Sequence, residues 1–127
     1  MRRLIITDPA RDDLADIRRY TRERWGDRML DAYDILLKQA LLDIRDDPNR
    51  PGSKDRSDDL LAPIRSYHVA LSRGRAGSRI KAPRHVLLYF EPKEDTVVLS
   101  RVLHDSRDLA RHLPDAHWME AKGESGG

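Results

Sequence analysis

Residues 8–48 read DPARDDLADIRRYTRERWGDRMLDAYDILLKQALLDIRDDP, and this stretch decides the fold. Asp8-Pro9 is a helix start, because Asp accepts from the free first-turn amides and Pro is preorganised at the first helical position. Leu14, Ile17 and Tyr20 then recur at helical spacing, with Asp12, Asp13, Asp16, Arg18, Arg19, Arg22 and Glu23 on the remaining face. Gly26 closes this helix and Asp27 is placed to cap the next. The second helix carries Leu30, Tyr33, Leu37, Ala40, Leu41 and Ile44 on one face, widened by Met29 and Leu36. It ends at Asp46-Asp47-Pro48, since proline disfavours the α conformation in its predecessor. So short a link makes the pair an antiparallel helical hairpin.

Outward from the hairpin the period changes from 3.6 to 2. Upstream, Arg3 to Thr7 is a short β-branched run. Downstream, Asn49 to Asp59 reads as a loop, and Ile64 to Leu71, His85 to Phe90 and Thr96 to Leu103 read as three strands. Glu91 to Asp95 is a turn of ordinary hairpin length, whereas the Gly-bearing link Ser72 to Arg84 is longer and expected to be mobile. Asp105 or Ser106 is placed to cap a last short helix bearing Leu109 and Leu113 and ended by Pro114. The expected fold class is α+β. An antiparallel sheet, made of the N-terminal strand plus a three-stranded C-terminal meander, packs on the helical hairpin, with a short C-terminal helix. The first strand is expected at an edge or beside the last strand. Residues 1–118 are expected to form one domain and residues 119–127 a flexible tail.

Composition bounds the function. The chain has 127 residues, 24 Lys+Arg, 22 Asp+Glu, 39% hydrophobic residues and no Cys. Such a length suits one core that buries roughly two-thirds of the unfolded surface. The lack of Cys excludes a disulfide scaffold, a Cys-ligated zinc site and a thiol nucleophile. No apolar run approaches the roughly 20 residues of a membrane span. Leu4 to Ile6 is too short for a secretory core, so a cytoplasmic, unprocessed protein is expected. Mean hydropathy is −0.73.

The net charge of +2 conceals a division. Asp8 to Asp47 holds 11 acidic and 8 basic residues, a balance of −3. Leu60 to Phe90 has no Asp or Glu but contains Arg65, Arg73, Arg75, Arg79, Lys81 and Arg84, with His68 and His85. That segment is either a solvated hairpin loop or a field that draws an acidic partner. It has no stacking aromatic in SRGRAGSRIKAPRH, unlike most non-specific nucleic-acid binders. On strand parity Arg101 shares a face with Val97, Leu99 and Leu103, so it must meet a carboxylate (Asp105 or one from the helices) or an external partner. His104 falls on the opposite parity with Val98, Ser100 and Val102. Asp108 either orients His104 or caps the last helix, and His112, His117 and Trp118 read as surface residues near the end. No Ser–His–Asp order, helical His pair of metal spacing or Gly-rich phosphate loop stands out, so neither a metal nor a cofactor is expected.

In order and spacing, RDDLADIRRYTRERWG, the α-hairpin, IRSY, HVLLYFEP and RVLHDSRDLARHLP resemble the ParE branch of the RelE/ParE toxin superfamily over Leu4 to Pro114. The most specific parts are Leu14, Ile17, Tyr20 and Trp25-Gly26 in the first helix, and Arg101 to His104 with Asp108 near the end. The resemblance implies a RelE/ParE-like fold and the toxin half of a type II toxin–antitoxin, plasmid-stabilising module that inhibits growth. It implies a ParD-like antitoxin in a heterotetramer or larger assembly, and DNA gyrase as the target. No membrane contact and no sequence-specific DNA binding by the toxin alone are expected. The Ser72 to Arg84 link is longer and more basic than the commoner ParE pattern. Candidate partner contacts are Trp25 and Tyr33 beside the helical turn, Arg65, Arg79 and Arg84 in the acid-free segment, and Arg101 and His104 on the last strand.

The alternative is a ribosome-dependent, metal-independent messenger-RNA endonuclease of RelE type. It needs a base for the ribose 2′-hydroxyl and cations around the scissile phosphate. Arg101, Lys81, Arg84 and Tyr89 are its candidates, with His85 or His104 as proton carriers. No local cluster in the sequence brings them together, so a binding inhibitor without a catalytic residue is the preferred expectation.

Overall fold

A computed structural model describes residues 2–57 and 63–105. The expected last helix with Leu109 and Leu113, along with Asp108, His112, His117, Trp118 and the tail, lies outside the described residues. The elements are β1 (Arg3–Ile6), α1 (Asp8–Trp25), α2 (Asp27–Asp46), β2 (Lys54–Asp55), β3 (Arg65–His68), a 3-10 turn (Val69–Ser72), α3 (Arg73–Ala76), β4 (His85–Lys93) and β5 (Thr96–His104).

The helical hairpin forms where the apolar stripes end. Thr7, rather than Asp8, caps α1: its hydroxyl accepts from the Ala10 amide at 3.2 Å, and Asp8 sits in the first turn. Gly26 serves both helices, ending α1 at φ +92° and preceding α2 with no side-chain cap. A one-residue link leaves no room for Asp27 to stand outside the second helix, and only glycine enters this backbone region without strain. On α2, Leu30, Tyr33, Leu36, Leu37, Ala40 and Ile44 are buried, as their periodicity requires. Tyr20 departs from its stripe: it is 60% exposed, while Leu14 and Ile17 pack partly against the core.

The five-stranded sheet has the order β1-β5-β4-β3-β2. β1 is both at an edge and beside β5, but it runs parallel to β5, so the sheet is mixed rather than purely antiparallel. β2 falls inside the expected loop and pairs Lys54 and Asp55 with Ser66 and Arg65. β3 is shorter than expected, because the His68 side chain accepts from the Ala70 amide and turns the chain into the 3-10 segment. The link expected to be mobile continues as α3. The β4–β5 connection is tighter than expected: Lys93 pairs with Thr96.

One irregularity re-aims the end of β5. Leu88 pairs with Arg101 whereas Tyr89 pairs with Leu99, so one extra residue, Ser100, stands in β5. A bulge inverts strand parity beyond it. Val102 therefore joins Val97 and Leu99 in the core cluster with Leu36, Ile44, Tyr67, Leu87 and Tyr89. Burying each large side chain of this cluster stabilises the fold by roughly 1.5–3 kcal/mol.

Candidate functional site

The last turns of α1, the start of α2 and the segment leading into β4 enclose an open groove of about 470 Å³. Tyr20 and Trp25 come from α1, Met29 from α2, and Ile80 and Pro83 from the link. Tyr20 and Trp25 are each 60% exposed, so a helix whose apolar residues should be covered by the sheet keeps two aromatics in solvent. The Arg24 guanidinium lies 5.5 Å from the Trp25 ring centre and shields one side of it.

The far end of the groove is polar. Tyr33 from α2 meets His85, its hydroxyl 2.6 Å from Nδ1 and the rings 5.6 Å apart edge to face. His85 is the register partner of His104, with ring centres 5.8 Å apart. The bulge at Ser100 brings this about: His104 follows Val102 at strand period, so it points to the helix side, opposite to the parity read from a regular strand. Burial pushes the Tyr33 phenol up to about 12, against a hydrogen bond from the Arg84 backbone and with the Asp105 charge adding to the rise. Tyr33 thus remains a neutral donor and acceptor.

Behind this pair stands Asp105. Its Oδ2 lies 2.8 Å from His68 Nε2, and Oδ1 lies 3.3 Å from Arg84 Nε and 3.7 Å from His104 Nδ1. Since His68 Nδ1 accepts from the Ala70 amide, its proton sits on Nε2 and is donated to Asp105. Burial opposes ionisation of Asp105, but the His68 hydrogen bond and the Arg84 charge hold its carboxyl below the usual range.

Among the expected partner contacts, Trp25, Tyr33, Arg84 and His104 gather in the groove. Arg65 and Arg101 do not. Arg65 donates to Ser53 Oγ at 2.8 Å. Arg101 makes a two-point pair with Asp13 of α1, Nε to Oδ2 at 2.7 Å and Nη2 to Oδ1 at 3.0 Å, and the Val102 amide donates to the same Oδ2 at 2.9 Å. Its carboxylate partner is thus a helical one, while Asp105 serves His68 and Arg84. Arg79 is exposed and lines no part of the groove.

The nuclease set is scattered. Tyr89 is fully buried and donates to the Pro48 carbonyl at 2.6 Å, with burial the main cause of its raised pKa. Lys81 is exposed, its carbonyl held by Arg73 at 2.5 Å. Only Arg84, His85 and His104 of that set meet. Sequence reading missed Met29, Ile80 and Pro83 as groove residues, because their meeting is long-range and leaves no local pattern. It also missed Asp43, which is fully buried on α2. There the signal was an acid between Ala40 and Ile44 on an apolar face.

Among the described residues there is no group of three or more metal-ligating side chains and no helix long and apolar enough to cross a membrane. A comparison with curated proteins finds no match. Residues 4–109, carrying the hairpin, the sheet and the groove, match the family described as ParE toxin of type II toxin-antitoxin system, parDE, and the chain belongs to that family.

Proposed function

We propose that this member of the ParE toxin family arrests growth by binding and inhibiting DNA gyrase in the cytoplasm, and that a ParD-like antitoxin in a hetero-oligomer neutralises it. Family membership makes the chain a type II toxin with an antitoxin partner. The finer reading rests on one observation: the groove is an open aromatic surface, while Tyr89 and Arg101 are engaged inside the fold. A surface of exposed aromatics beside a few polar groups suits capture of a partner segment. An endonuclease needs cations gathered around one phosphate, and Lys81, Arg84 and Arg101 are dispersed here.

The test is supercoiling by purified gyrase with added toxin. Loss of supercoiling with accumulation of cleaved DNA is expected, and the product of the adjacent antitoxin reading frame should reverse it. Full gyrase activity at excess toxin, with new 5′ ends on translated messages in induced cells, would overturn the gyrase reading in favour of RNA cleavage.

A further inference from the structure

The strap from Ser72 to Arg84 supplies one wall of the groove through Ile80, Ala82 and Pro83. Between α3 and β4 it has neither helix nor strand, so side chains must hold that wall in place. Gly77, at φ +63°, ends α3, and the Ser78 amide returns to the Arg73 carbonyl at 3.0 Å. The Ile80 amide then donates to Ser78 Oγ at 3.2 Å. Beyond it, among the described residues, the carbonyls of Ile80 and Lys81 both find their donor in Arg73, with Nη1 at 3.1 and 2.5 Å.

Two cations of the acid-free segment are therefore engaged within the strap's own support. Arg75 fixes the base, pairing with the buried Asp43 of α2 at 2.9 Å. Arg73 fixes the far limb. Its Nη1 carries two N–H groups, one for each carbonyl, and a charged donor makes such bonds roughly twice as strong as a neutral one. Packing holds this limb less firmly, because Ile80 is only partly buried against the core and Ala82 is exposed. Arg73 itself lines no part of the groove.

We propose that Arg73 is a positioning residue of the groove: its guanidinium bridges the Ile80 and Lys81 carbonyls and so keeps the strap wall preformed for an apolar partner segment. That a partner segment enters the groove rests on the function proposed above. A site formed in only a fraction of the molecules binds with its affinity reduced by that fraction. Releasing the limb therefore weakens capture although no groove side chain has changed. The cations of this segment thus differ in role, and Arg79, which is exposed on the same strap, has no part in holding the wall.

The test uses the full chain and the uncharged aromatic probe N-phenylnaphthylamine, below the melting transition. Arg73→Met, or Arg73→Gln should the first variant fold poorly by thermal melting, should weaken the probe by about fivefold, as expected when the wall is in place in a fifth of the molecules. Hydrogen exchange should quicken by about tenfold at Ile80 and Arg84, whose amides are bonded to Ser78 and Tyr33, and by less than about twofold at Leu87 and Val102 in the sheet. Arg79→Met removes the same charge from the same strap and should leave both readouts within about twofold of the native chain. Trp25→Ala should weaken the probe and so locate it in the groove; if it does not, strap exchange alone decides. Either readout within about twofold of native in the Arg73 variant, or an equal effect of Arg79→Met, overturns the proposal, and a lower melting temperature alone would make Arg73 a stability residue. Neither readout involves the antitoxin or gyrase, so a failure here leaves the proposed function standing, and the reverse holds too.

Discussion

Asp43 and Asp105 each stand at the centre of a polar cluster, and the two clusters differ in how completely the carboxylate is satisfied. Asp43 is fully buried and saturated. Its Oδ1 accepts from Gln39 and from Arg75, each at 2.9 Å, and its Oδ2 accepts from Ser72 at 2.6 Å, whose hydroxyl also meets Tyr67 at 2.8 Å. Asp105 keeps 22% of its side chain exposed and has one close bond, to His68, with Arg84 and His104 at 3.3 and 3.7 Å. A saturated buried network rigidifies what it joins. Here it ties the base of the Ser72 to Arg84 link to α2, and so holds the strap whose Ile80 and Pro83 form a groove wall. A partly satisfied cluster retains the capacity to respond to a new charge. One cluster builds the groove; the other equips it.

That contrast can be broken at its strong side first. Asp43→Ala leaves Ser72, Gln39 and Arg75 without their acceptor. It should cost about 3 kcal/mol, the range for breaking a buried charged network, read as a lower urea midpoint. A variant within 0.5 kcal/mol of the native chain would remove the distinction.

Arg101→Met comes next. It breaks the two-point pair with Asp13 but leaves the Val102 amide bonded, so a loss of about 1–2 kcal/mol is expected by the same measurement. If gyrase is the target, the folded variant should still inhibit supercoiling, since its charge is spent between α1 and β5.

Asp105→Asn should lower stability near neutral pH and lose that effect in acid. The native carboxyl ionises below its ordinary value of 3.8. Its contribution to stability is therefore full above pH 3.8 and fades as pH falls through the lower native midpoint. Urea midpoints at pH 5 and pH 3 should converge for native and variant chains at the lower pH; a constant gap would show that the charge of Asp105 plays no part.

Trp25→Ala sharpens the contrast from the other end. At 60% exposure it should change stability by less than about 0.5 kcal/mol. It should nonetheless weaken binding of the adjacent antitoxin by at least about tenfold, as an aromatic at the centre of an interface does. Calorimetry on the pair reads both numbers. A stability loss larger than the binding loss would make Trp25 a packing residue.

The sequence by itself determined the elements that periodicity and punctuation can specify. Leu30 to Ile44 recur at helical spacing, Gly26 and Pro48 stop the chain, and the Val- and Leu-rich runs after residue 84 read as strands. These signals live within a few residues of each other, and they were enough to give the α+β class and the resemblance to ParE toxins. Of the site, Trp25, Tyr33, Arg84 and His104 were legible as candidates, though for separate reasons and without a common place.

Tertiary structure alone decided where those residues meet and which cations are spent. The direction of β1 is fixed by its parallel pairing with β5, which no local pattern records. The bulge at Ser100 turns His104 to the helix side, and a one-residue slip in register has no signature in the strand's own sequence. Arg101 finds Asp13 across 88 positions of chain, and Asp43 finds Arg75 across 32. Charge and polarity are written residue by residue, but whether a charge is satisfied or offered to a partner depends on distances that exist only after the chain has folded.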